Sequence, residues 1–293
     1  MPELPEIESI RLHLDPIIVG KTITSLKLLE PSMFHGNIDH VIGAIITGTS
    51  RKGKILTLHL TQTNSTTYKL PANSYISFHL KLSGQILFVE DNNNPVFKNQ
   101  IPLADSNRMP ARTSRIIIHF SDNSALYFND MRKFGWLKVG DKPELPAGVD
   151  VLSDDFTSEY LQAHLTKTRR PIKTVLLDQE IIAGVGNIYA NDALWEARIH
   201  PARKANSLTA DEVMSLFAGI KKSIHEGLEY KGSSAKDELY VLPDSTPGMY
   251  QHHFKTYHQQ GTPCKRCGEI IKSMRLGGRG TFYCPTCQKE NAL

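Results

Sequence analysis

Three observations predict an α+β chain. The first half of the 293 residues carries alternating and β-branched strand runs, and the second half carries apolar residues at helical spacing. The last stretch holds all four cysteines, in two C-x2-C pairs. The length suits two domains with a small appendage. A content of 40% hydrophobic and 22% charged residues is ordinary for a globular protein. Apolar runs such as VIGAII are strand-sized, far short of the roughly 18 residues of a membrane span. The start lacks the basic-then-apolar pattern of a signal peptide, so the expectation is a cytoplasmic protein with no membrane partner.

The elements follow in order. MPELPEIE opens the chain and reads as a helix start, because Pro5 suits a first helical position and carboxylates suit the positive end of the helix dipole. KILTLHL, SYISFHLKLSGQILFVE and RIIIHFSDNSALYF are strand runs broken by turn residues. TQTNSTT and the stretch from Asp91 to about Arg112 read as loops or hairpin insertions. Pro143, Pro146 and Gly148 then punctuate the chain. Helices are expected near Ser158–Thr168, Pro171–Gln179 and Asn187–Ala197. A fourth opens with a Thr209/Glu212 capping box, runs through ADEVMSLFAGIKKSIHEGLEY and stops at Gly232. The expected layout is a β-rich domain over 1–140, a linker over 141–153, a helical domain over 154–250 and a ribbon over 251–293.

The tail concentrates the chemistry. From Gln251 onward there are seven Lys/Arg and two Asp/Glu, a balance of +5, so the rest of a chain with net charge +4 sums to −1. This suits either an appended nucleic-acid-binding module or a solvated tail. Cys264 and Cys267 are separated by sixteen residues from Cys284 and Cys287, the spacing of a zinc ribbon. Four protein thiolates leave no position for a catalytic water, so one structural Zn²⁺ is expected.

Pro2 has two readings: a helix-start residue, or a reagent exposed as a secondary amine once Met1 is removed. An α-amino group has a pKa of about 7.7–8.0 against about 10.4 for lysine, so it is a usable nucleophile near neutrality. An iminium formed from it would favour elimination, with Glu3 and Glu6 at hand as proton donors or relays. Lys54, beside Gly53 in SRKGKIL, suits a phosphate contact or a solvated strand end. Asn187 opens a helix after GVG, where backbone N–H groups hold anions. Arg279 in LGGRGTFYC suits a hairpin tip offered to a phosphate.

MPELPEIE, RKGK, DMRKFG, LLDQEIIAGVGNIYAND with IHP, and a ribbon containing GGRGT occur in this order along nearly the whole chain. Together they resemble the formamidopyrimidine-DNA glycosylase family. The resemblance implies an N-terminal β-sandwich, a helix–two-turns–helix domain and a DNA cleft between them. It also implies a monomeric, nucleoid-associated base-excision enzyme that acts on damaged double-stranded DNA. Such an enzyme releases oxidised purines and nicks the abasic strand. By resemblance, Pro2 forms the Schiff base, Glu3 acts as acid with Glu6 in support, and Lys54 and Arg279 assist β- and δ-elimination. Asn187 binds phosphate, and Leu82, Arg132 and Phe134 fill the stack behind the flipped base. The segment from Gly232 to Tyr250 covers that base.

Two departures stand out: Leu82 replaces the usual methionine, and ARTSRIII replaces a His-containing KHDH. Arg112 or Arg115 could substitute there, and Arg169 is a further candidate DNA contact. A pyrimidine-preferring sister group, endonuclease VIII-like, is the runner-up; Leu4 and RKFG favour the purine branch.

Overall fold

The strand runs of the first half become two stacked sheets. A computed structural model describes residues 1–62, 73–234 and 239–290. Contacts divide the chain into two units, Met1–Leu145 with Tyr230–Met249, and Pro146–Glu229 with Tyr250–Leu293.

In the first unit, helix α1 (Leu4–Ile18) precedes strands β1 (Ile23–Leu28), β2 (Phe34–His35), β3 (Ala44–Lys52), β4 (Ile55–Gln62) and β5 (Asn73–His79). These are followed by β6 (Gly84–Val89), β7 (Ser114–Phe120), β8 (Ala125–Asp130) and β9 (Trp136–Gly140). One sheet has the order β1-β7-β8-β6 and the other β2-β9-β5-β4-β3. All pairings are antiparallel except β2 with β9. The core lies between the sheets, with Ile76, Phe78 and Leu137 from one and Ile86, Ile118, Leu126 and Phe128 from the other. Ile7, Ile10, Leu14 and Ile18 add the apolar face of α1, at the i, i+3, i+7 spacing of a helix stripe.

Strands β6 and β8 are buried at every position, which simple alternation does not predict. Their second face is covered by the stretch after Asp91. Phe97, Ile101, Ala104 and Met109 pack on Leu87, Val89, Ile117 and Tyr127. That stretch is a loop insertion, as expected, held by an antiparallel Val96–Arg108 bridge and packed over the sheet face. Of TQTNSTT, Thr61 and Gln62 end β4, and the remainder lies outside the described residues.

In the second unit the order is β10 (Val149–Asp150), α2 (Ser158–Leu165), α3 (Ile172–Leu176), β11 (Ile182–Ala183), α4 (Asn187–Glu196) and α5 (Ala210–Glu229). The hairpin β12 (Lys272–Leu276) and β13 (Arg279–Tyr283) closes it. The Thr209/Glu212 capping box forms reciprocally, with N–H···O distances of 2.9 and 3.3 Å. Val213, Leu216, Ile220 and Ile224 bury the stripe of α5, whereas Phe217 and Leu228 are only half-buried. Among the described residues, no helix is long and apolar enough to cross a membrane.

Candidate active site

Pro2 and Glu3 are buried immediately before α1, with Glu3 and Glu6 each 1% exposed. Such burial of carboxyl groups is tolerable only with hydrogen-bond partners. Glu3 and Glu6 form a capping box, in which Glu6 Oε2 accepts from Glu3 N at 2.8 Å. Glu6 Oε1 accepts from Ser233 N at 2.8 Å. Gly232, expected as a helix stop, has φ +78°, and a Cβ there would lie 2.7 Å from Glu6 Cγ. Glycine thus meets a backbone and a packing requirement at once, and Glu6 clips the helix start to the turn after α5.

Lys54 is 7% exposed, which removes the solvated strand end as a description of it. It occupies a two-residue turn between Lys52 and Ile55, with Gly53 at φ +58°. Arg51 fixes that turn by donating Nη1 to Gly53 O at 3.0 Å and Nε to Glu8 Oε2 at 2.9 Å. Thr49 N and Oγ1 donate to Asp15 Oδ1 at 3.0 and 2.6 Å. Both ties run to α1, so the turn carrying Lys54 is registered on the helix that begins just after Pro2.

Opposite Ile55 in the ladder lies His79, which the sequence patterning does not single out. Burial, with the charges of Lys81 and Lys54, lowers its pKa to about 3. The neutral ring accepts Lys81 N at Nδ1, 3.0 Å away. This shapes the turn bearing Leu82, which is half-buried. Arg132 and Phe134 are exposed in the β8–β9 turn, Phe134 by 59%. Lys133, at φ +57° between them, pairs with Glu30. Beneath both turns lies the buried Asp130, hydrogen-bonded to Ser83 Oγ, Arg132 N and Gly135 N.

The remaining arginines of this unit are engaged. Arg115 donates Nε to Asp130 O at 2.8 Å and Nη1 to Arg112 O and Ser114 O at 2.9 and 3.1 Å. Arg112 pairs with Asp105 at 3.1 Å on the surface.

In the second unit, Asn187 is the first residue of α4, half-buried after the N-cap Gly186. The GVG approach to it is held by Gln179, which accepts Gly184 N at 3.0 Å and donates to Val185 O at 2.8 Å. Arg279 is exposed and pairs with Leu276 across Gly277-Gly278, both at positive φ, the backbone of a tight type I′ hairpin. Lys173, completely buried, donates to Gly280 O at 2.7 Å and Thr281 Oγ1 at 2.8 Å. Asn191 Oδ1 accepts Phe282 N at 2.8 Å. Neither anchor was apparent from sequence; a lone lysine in the apolar run IKTVLL was the available signal. Arg169 is exposed beyond α2.

The thiolate atoms of Cys264, Cys267, Cys284 and Cys287 all lie within 4.8 Å of one another. Pairs stand 3.4, 3.5 and 4.0 Å apart, against about 3.8 Å for the edge of a tetrahedron with Zn–S bonds of about 2.3 Å. Trp195 Nε1 and Arg266 N donate to Cys264 Sγ at 3.3 and 3.4 Å, the outer bonds that orient a ligand. The donor set suits one structural Zn²⁺.

Comparison with known proteins agrees with this arrangement along the full chain. Residues 1–137 match the formamidopyrimidine-DNA glycosylase N-terminal domain, 147–238 its H2TH domain, and 261–289 the zinc finger found in FPG and IleRS. The formamidopyrimidine-DNA glycosylase of Exiguobacterium sp. is 35% identical over 303 residues, covering 99% of this chain and 100% of its own. That of Carboxydothermus hydrogenoformans is 36% identical over 295 residues, with 99% and 100% covered. Among solved structures, MutM (Fpg) from Thermus thermophilus superposes with a TM-score of 0.82 at 32% identity, covering 99% of this chain and 100% of that one. Lactococcus lactis Fpg in complex with DNA containing an abasic site gives 0.80 at 26% identity, with 98% and 100% covered. With matches to all three of its parts and relatives alike from end to end, this chain belongs to the formamidopyrimidine-DNA glycosylase family of DNA repair.

Proposed function

We propose that the chain releases oxidised purines, 8-oxoguanine and formamidopyrimidines, from duplex DNA and then cleaves the abasic strand. One observation carries the reading most: Pro2 is buried at the start of α1 beside two buried carboxyl groups, Glu3 and Glu6. Solved relatives hold DNA with an abasic site or with carbocyclic 8-oxo-G, which supports this class of substrate.

With Met1 removed, the Pro2 nitrogen attacks C1′ of the damaged nucleotide, and the glycosidic bond breaks with its electrons leaving on the base. The proton of the Pro2 nitrogen passes to the departing base, and Glu3 gives a second proton to the sugar ring oxygen as the ring opens, leaving an iminium between Pro2 and C1′. The positive charge acidifies C2′. Loss of a C2′ proton expels the 3′ phosphate, and a second elimination expels the 5′ phosphate. Lys54 and Arg279 contact these phosphates and stabilise the departing charge, and Asn187 with the first turn of α4 binds a third. Glu6 holds the helix start in place through its two backbone bonds.

The extruded base leaves a gap that Leu82, Arg132 and Phe134 fill, Arg132 facing the orphaned cytosine. A wedge needs volume rather than sulfur, so leucine at position 82 serves. Arg169 and the exposed Arg112 suit backbone contacts, whereas Arg115 is tied to the Asp130, Arg112 and Ser114 carbonyls. Residues 232–250 cover the base, with 235–238 outside the described residues.

Single-turnover excision from duplexes carrying 8-oxoguanine opposite cytosine or thymine glycol tests the assignment. Faster release of the purine is expected; clearly faster release of the pyrimidine overturns it.

A further inference from the structure

Leu82 and the Arg132–Phe134 pair reach the same edge of the two-sheet stack by two adjacent crossings that run in opposite directions. The β5–β6 turn and the β8–β9 turn each pass from one sheet to the other. β5 and β9 are neighbours in one sheet, with His79 opposite Trp136. β6 and β8 are neighbours in the other, with Gly84 opposite Asp130. The two turns therefore run side by side although they are distant in sequence.

Asp130 is where they are joined, and its side chain is completely buried. Oδ1 accepts from Ser83 Oγ in the first turn and from Arg132 N, at 3.0 Å, in the second. Oδ2 accepts from Gly135 N at 2.7 Å. Ser83 Oγ also accepts Arg132 N at 3.1 Å, closing a triangle between the turns. A Cβ at position 135 would stand 2.8 Å from Phe128 Cζ and 3.0 Å from Asp130 Oδ2, so only glycine lets the chain pass this close. From outside, the Lys133–Glu30 pair holds the same turn.

We propose that Asp130, with Ser83, is a positioning residue that makes Leu82, Arg132 and Phe134 one preorganised wedge. The inference rests on reading those three as the stack-filling residues. An exposed aromatic on an unsupported turn would have to be ordered at the moment of insertion. A turn fixed beforehand avoids that cost, and coupling two turns makes entry of all three side chains one event.

Asp130→Asn keeps the shape but sets an amide N–H against a backbone or hydroxyl donor in either orientation. Ser83→Ala removes only the link between the turns, and decides the matter if Asp130→Asn fails to fold. Each is measured in single-turnover excision of 8-oxoguanine from a paired duplex, in excision of the same lesion from an unpaired bubble, and in cleavage of a preformed abasic site. The expected result is a loss of about tenfold on the paired lesion, the scale of one hydrogen bond. Recovery is expected in the bubble, where the stack is already open, with a much smaller loss at the abasic site, which has no base to evert. Equal losses on all three substrates, or no loss on the paired lesion, overturn the positioning role. A wild-type protein that processes none of the three overturns the functional reading beneath it, a separable outcome.

Discussion

Glu3 and Glu6 are indistinguishable as letters in PELPEIE, and their surroundings separate them. Glu6 has one carboxylate oxygen on Glu3 N and the other on Ser233 N. Glu6→Gln must turn an N–H toward one of those donors, a cost of about 1–3 kcal/mol that loosens the helix start. Excision and abasic-site cleavage should therefore fall together, as steady-state assays on both substrates would show. Glu3→Gln should instead lower base release by about a hundredfold or more, the typical weight of a positioned acid, while a preformed abasic site is still processed. His79 sets a pH limit. Its folded pKa of about 3 lies below the unfolded value, so the unfolded chain takes up the proton first as pH falls through about 6.5. Stability is then lost from about pH 6.5 downward, by up to about 1.4 kcal/mol per pH unit. Urea unfolding at several pH values should show this slope in the wild type and a flatter one in His79→Gln.

At the scale of elements, what was legible in the sequence was local. The Thr209/Glu212 cap, the Gly277-Gly278 turn placing Arg279 at a hairpin tip, and the α5 stripe depend on neighbours within a few residues. The cover over β6 and β8 was not legible, because Phe97 and Met109 follow no helix or strand period and find their apolar partners on the second face of neighbouring strands. Nor did Asp130 and Lys173 give any sign of their contacts with Ser83 and the β13 backbone. Lys173 offers an element-level test. Lys173→Met leaves Gly280 O and Thr281 Oγ1 without the ammonium donor and frees β13 to shift. Denaturing gels of abasic-site cleavage should then show the β-elimination product accumulating over the δ product, since Arg279 opens that strand. An unchanged product ratio would place the lysine outside the path to Arg279.

Over the whole molecule, the proposed roles divide between two units with separate packing. The terminal amine, Lys54 and the wedge turns belong to one; Asn187, Arg279 and the zinc ribbon belong to the other. Removing zinc should therefore unfold the ribbon and abolish DNA binding while the two-sheet unit keeps its far-UV circular dichroism, and restoring zinc should restore binding. Family membership was legible from motif order, because the residues of DNA chemistry lie in short local segments. Pro2, the proposed nucleophile, was chosen from the sequence only through that resemblance, since as a letter it also makes an ordinary helix start; the buried carboxyl groups beside it support the proposed role. Borohydride trapping on an 8-oxoguanine duplex addresses that residue directly, comparing protein with Met1 removed against protein that retains it. A covalent protein–DNA adduct forming only when Pro2 is the terminus is the predicted result. An adduct that forms equally with Met1 in place, or tight binding with no adduct from either form, would contradict the account.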